Sequence, residues 1–172
     1  GTMSMKTTVE NTSAKPTSVT VKQTVYKQGS EVSAATTTTE TAIEIAAGAS
    51  ADITQTAKIE NPALWSPDSP ALYTLKTEVL VGDSVVDTCE TELGFGRTTF
   101  SKDCGFALNG VKTKRKGVCM HHDQGSLGSE AWYRAIERQV EILKEMGCNA
   151  IRVTHNPAAP ELIEIANEKG IM

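Results

Sequence analysis

Gly147-Cys148-Asn149-Ala150-Ile151-Arg152-Val153-Thr154-His155-Asn156-Pro157 is a short alternating run set between two stretches of a different period, and its reading decides the fold. Ile151 and Val153 flank Arg152, so the arginine leaves the face opposite to theirs on a strand. Upstream, Trp132, Ile136, Val140, Leu143 and Met146 step by four, four, three and three, which places them on one face of a helix. Ser129 is the expected N-cap of that helix, and Gly147 stands where a left-handed C-terminal cap belongs. Downstream, a second helix is expected from Pro160, suited to a first helical position, through Leu162, Ile163, Ile165 and Ala166 to Gly170. The run Lys116-Gly117-Val118-Cys119-Met120 precedes the first helix, and Ile171-Met172 reads as the start of another strand. Strand, helix, strand, helix, strand is the alternation of a parallel α/β architecture.

Ahead of residue 97 the period is two and no helix is expected. Alternating runs occur at residues 6–10, 18–26, 41–45, 51–59, 72–79 and 85–88, rich in Thr, Val and Ile. Turn signals separate them at Lys15-Pro16, Gln28-Gly29-Ser30, Ala47-Gly48-Ala49 and Val81-Gly82-Asp83. Thr36 to Thr39 reads as an exposed strand or edge. Six or seven short strands in such a span indicate an immunoglobulin-like antiparallel β-sandwich. The expected organisation is therefore a sandwich over residues 1–97 and the first βαβα units of a TIM barrel over 98–172.

Composition narrows the function classes. A net charge of -4 gives no electrostatic footprint for nucleic acid. No apolar run approaches the ~20 residues that span a bilayer. Residues 1–5, Gly-Thr-Met-Ser-Met, lack the basic and apolar regions of a signal peptide and read as an appended scar, which leaves cytoplasm, periplasm and exterior open. The four cysteines, at 89, 104, 119 and 148, form no C-x-x-C pair, so no metal site and no cofactor are expected, and disulfides are allowed but not demanded. Cys119 beside Met120, His121 and His122 reads as a small hydrophobe of a strand rather than a metal ligand.

In parallel α/β folds ligands gather in the loops beyond the carboxyl ends of the strands. The first strand opens into His121-His122-Asp123-Gln124-Gly125-Ser126-Leu127-Gly128, and the second ends at Arg152-Val153-Thr154-His155-Asn156-Pro157. All three histidines of the chain fall at that edge, with an arginine and a carboxylate. An arginine inside a barrel near its mouth needs an anionic partner, because an unpaired buried charge is costly. Ser126 and Ser129 lack a strained nucleophile elbow, and Gly125 to Gly128 lack the ending of a phosphate loop.

These residues carry a resemblance. Asn61-Pro62-Ala63-Leu64-Trp65-Ser66-Pro67-Asp68-Ser69-Pro70-Ala71-Leu72-Tyr73 resembles the strand-linking segment of the immunoglobulin-like domain in glycoside hydrolase family 2. Phe106-Ala107-Leu108-Asn109-Gly110, Lys116 to Asp123, and Gly147 to Pro157 are similar to the family's approach to its barrel and its first two barrel strands. The His-His-Asp and His-Asn-Pro variants are most similar to the β-galactosidase branch. One departure is Gly94-Phe95-Gly96-Arg97, where the family has Gly-Phe-Arg or Gly-Ile-Arg.

The resemblance implies a fragment of a retaining, exo-acting glycosidase acting on β-linked sugars. Such enzymes need two carboxyls about 5–5.5 Å apart. In the family both are glutamates on later barrel strands, so the fragment is expected to line the active site without hydrolysing glycosides itself. It further implies that Arg152 lies near the nucleophilic carboxylate, that His155 and its neighbour Asn156 contact the sugar, and that His121, His122 and Asp123 line the rim. A non-catalytic β-sandwich binding or adhesion module is the competing reading, against which stand the αβ repeats after residue 97. A complete small α/β enzyme fails because two strands close no barrel. Strand edges left free by an unclosed barrel are expected to drive association between copies of the chain.

Overall fold

The computed structural model describes residues 1–38 and 42–172, so Thr39 and Thr41 of the expected strands lie outside the described residues. The chain divides into two compact units, Gly1–Ala63 with Tyr73–Leu93, and Leu64–Leu72 with Gly94–Met172.

The first unit is an antiparallel sandwich. Its strands are β1 (Thr2–Glu10), β2 (Thr17–Lys27), β3 (Ser33–Thr38), β4 (Ile43–Ile45), β5 (Ser50–Lys58), β6 (Tyr73–Val81) and β7 (Ser84–Leu93). β1 and β5 form one sheet, and the other runs β3-β2-β6-β7 with β4 also pairing β2. Val19, Val21, Ile45, Ile53 and Val79 form the buried core between them, as the period of two requires. Gln23, 2% exposed, sits among these apolar residues and sends its Nε2 to the Thr7 and Thr77 hydroxyls at 3.0 and 3.3 Å. The first five residues take part in the sandwich. β1 starts at Thr2, whose partner is Lys58, and Met5 is buried. β3 is an edge strand of its sheet, and its Thr36 to Thr38 follow the expectation.

The second unit opens with the three-stranded sheet β8 (Thr98–Ser101), β9 (Gly105–Leu108) and β10 (Val111–Lys112). β9 and β10 turn through Asn109 and Gly110 at φ of 53° and 81°, the Asn-Gly pattern that suits a two-residue hairpin. Then come β11 (Gly117–His121), α1 (Tyr133–Glu145), β12 (Ala150–Thr154) and α2 (Pro160–Lys169). β11 and β12 are parallel neighbours, and Ile136, Val140, Leu162, Ile165 and Ile171 make the core between the helices. A Cβ at Gly117 would collide with the Ala150 carbonyl, so glycine lets these two strands start side by side.

Two local expectations are corrected. The cap of α1 is Trp132, not Ser129, and no side chain bonds there. Trp132 and Met146, at the two ends of the expected apolar stripe, are 60% and 68% exposed, because they flank the helix and only the middle turns meet α2. Ile163 of α2 is exposed, on the side of the helix away from the core. Ile171-Met172 begins to pair beside β12 as expected: the Met172 N–H donates to the Asn149 carbonyl at 2.9 Å, and its carbonyl accepts from the Ile151 N–H at 2.8 Å. Gly147 and Gly170, at φ of 83° and 72°, do close the helices as expected. Among the described residues no helix is long and apolar enough to cross a membrane.

Candidate functional site

Alternation along two paired parallel strands sorts the side chains near their carboxyl ends. Met120 of β11 and Ile151 of β12 pack against the helix core. Cys119, His121 and Arg152 therefore belong to the other face. The arginine, and not the aliphatic pair Ile151 and Val153, takes the face away from the helices.

On that face the register sets Cys119 opposite Arg152 and His121 opposite Thr154. Arg152 Nη1 donates to Cys119 Sγ at 3.8 Å. The His121 and His155 rings meet edge to face, with centroids 6.1 Å apart and planes at 88°. Two imidazoles thus meet just beyond the strand ends, from segments more than thirty residues apart in sequence, and a guanidinium lies on the strand face that His121 shares. Neutral imidazole both donates and accepts hydrogen bonds, and guanidinium offers a planar set of donors, which is chemistry suited to hydroxyls and carboxylates.

The remaining expected site residues occupy a second place. His122, Asp123 and Asn156 line a crevice between the strand ends and the helices, together with Gln124 and Gln139, whereas Arg152 and His155 do not line it. The Asp123 carboxylate is used within its own loop: Oδ1 accepts from the Gly125 N–H at 2.9 Å, and the Asp123 carbonyl accepts from Gln139 Nε2 at 3.3 Å. His121 borders both places. The structure thus brings His121 and His155 together, sets Arg152 against Cys119 on the strand face that His121 shares, and leaves His122, Asp123 and Asn156 to one side.

Cys119 is corrected. It is exposed, not packed as a small hydrophobe, and it touches the arginine. The signal was available, since a residue two before His121 on a strand shares its face. All four cysteines are free thiols. Among the described residues no group of three or more His, Cys, Asp or Glu side chains could hold a metal ion.

The chain thus carries an immunoglobulin-like sandwich and, as a second unit, a parallel βαβα segment bearing these side chains. The sequence profile "Glycosyl hydrolases family 2" matches residues 1–95, and "Glycosyl hydrolases family 2, TIM barrel domain" matches residues 101–172. The chain belongs to glycosyl hydrolases family 2. It is 43% identical over 173 residues to the β-galactosidase BoGH2A of Bacteroides ovatus, covering 99% of this chain and 20% of that protein. A putative β-glucuronidase of Formosa agariphila is 41% identical over 116 residues, 67% of this chain and 11% of the relative. A crystal structure of a family 2 member from Bacteroides cellulosilyticus superposes with a TM-score of 0.92 at 30% identity, over 99% of this chain and 22% of that one. The chain spans about a fifth of the length of the first of these relatives.

Proposed function

We propose that this chain is the sandwich and first barrel segment, residues 1–97 and 98–172, of a retaining, exo-acting β-galactosidase. The observation that carries the reading is the placing of Arg152 and His121 on the strand face turned away from the helices, with the His155 ring packed edge to face on His121 just beyond the strand ends. The likeness to a β-galactosidase across nearly the whole chain supports the choice of sugar. In this reading His121 and His155 exchange hydrogen bonds with sugar hydroxyls, and Arg152 holds a carboxylate ionised and oriented. His122, Asp123 and Asn156 shape the rim and hold the loops that carry the cluster.

Among the described residues of β11 and β12 no carboxylate stands on that face, so the chemistry of a retaining mechanism needs residues from elsewhere in the protein. Glu137 and Glu141, which lie together on α1, are engaged by Arg134 and Lys169.

The test is a panel of nitrophenyl β-galactoside, β-glucuronide and β-mannoside given to the full-length protein, with the anomer of the first product followed by NMR. Preferred turnover of the galactoside with retention supports the reading. Preferred turnover of the glucuronide, or inversion, overturns it.

A further inference from the structure

We propose that Cys119 is a positioning residue for Arg152 in glycoside hydrolysis, a proposal that rests on the reading of the strand face given above. Arg152 lies directly across the parallel register from Cys119, and its Nη1 donates to the thiol sulfur at 3.8 Å. That is the one side-chain partner of the guanidinium among the described residues. Cys119 is exposed and leaves the face opposite to Met120 and Ile151, so it adds nothing to the packing between strands and helices.

The chemistry of the pair gives the contact its use. An arginine side chain is long and samples many rotamers unless its planar head is anchored. A thiol is a weak, soft acceptor, and it occupies one N–H while leaving the others of the fork free for an anion. A carboxylate at the same place would instead neutralise the guanidinium. Cys119 thus holds the head of Arg152 on the face that carries His121 without cancelling its charge. The anchored cation keeps the pKa of a facing carboxylate low, and a loosened one lets it rise.

The experiment measures kcat, KM and the pH profile of nitrophenyl β-galactoside hydrolysis in the full-length protein, with Cys119→Val, Cys119→Ser and Arg152→Gln. Valine keeps the size of the thiol and removes the acceptor, and serine restores an acceptor. The expected result is a three- to tenfold loss in kcat for Cys119→Val, in the range of one lost hydrogen bond, with KM changed less than about twofold. The acid limb of the kcat/KM profile should move to higher pH, which a purely structural role would not do, and Cys119→Ser should restore both. If Cys119→Val does not fold, Cys119→Ala takes its place under the same criteria. Wild-type kcat and an unmoved acid limb in the acceptor-free variant, with Arg152→Gln crippled, overturn the positioning role. An Arg152→Gln protein as active as wild type overturns the reading of the face itself.

Discussion

The indole N–H of Trp65 donates to the backbone carbonyl of Asn167 at 2.8 Å, joining a proline-rich segment to the last turn of α2 across 102 residues of sequence. Lys144 makes a second tie, donating from Nζ to the carbonyls of Pro67 and Gly170 at 2.9 and 3.2 Å. Prolines at 62, 67 and 70 exclude a central strand, so the segment is free to serve as a rigid strap in the second unit. Trp65 is half-buried, less than its role as an anchor suggests, and its N–H is satisfied as a tryptophan at such a place requires.

Trp65→Phe keeps most of the ring and removes the donor. The expected cost is about 1 kcal/mol of a neutral hydrogen bond. Urea unfolding followed by circular dichroism at the helix band checks it, and an unchanged midpoint would show that the strap adds nothing to the helices.

Asn109 stands at φ 53° while its Oδ1 accepts from the Arg97 N–H at 3.0 Å and its Nδ2 donates to the Trp65 carbonyl at 2.9 Å. Asn109→Ala loses both bonds and adds the left-handed penalty of about 1–2 kcal/mol, whereas Asn109→Gly loses only the bonds. Thermal melts of the two variants should therefore rank glycine above alanine. The reverse order would mean that the turn relaxes out of its left-handed conformation.

Much of this fold was legible in sequence because single residues announce it. Pro160 and Gly170 bound α2 at the expected places, and the period of two placed the core residues Val19, Val21 and Ile53 on inner faces. Trp132 and Met146 misled because a periodic stripe reports helical phase and not how far the partner helix reaches. That residues 2–5 extend β1 was not legible, because a leading glycine and two methionines carry little strand propensity, whereas pairing with β5 and the burial of Met5 set the strand. For the candidate site, strand alternation separated Arg152 from Ile151 and Val153. It could not show that the loops send His122 and Asn156 to the crevice, since that depends on loop paths rather than on period.

A pH dependence follows from the helix pair. Lys169 first, then Arg134, holds the Glu137 carboxyl below its ordinary range, and Arg134 first, then Lys169, does the same for Glu141. A group whose folded pKa is depressed adds stability above its unfolded value and loses it as pH falls through the folded one. Docking of α1 on α2 should thus weaken below about pH 4.5, the usual glutamate value, and the weakening should shrink in Glu137→Gln/Glu141→Gln. Hydrogen exchange at Ile136 and Val140 between pH 7 and pH 3 measures it. Equal acid sensitivity with and without the two carboxylates would contradict the assignment.

β11 pairs only β12 among the described residues, and the two-stranded sheet keeps a free edge beside exposed Val118 and Val153. Such an edge is a template for another chain. The 172-residue chain is expected to associate at micromolar concentration through residues 116–154, seen by light scattering after size exclusion. A strict monomer with strongly protected amides in both strands would count against this.

The central claim is that Arg152, on the strand face it shares with His121, acts on the glycoside. It is tested most directly by kcat/KM for nitrophenyl β-galactoside in the full-length protein and its Arg152→Gln variant, each shown to be folded by its melting curve. The predicted result is a loss of about 10- to 100-fold, the range of a charged hydrogen bond, with the melting temperature retained. A folded Arg152→Gln protein within twofold of wild type would contradict the account.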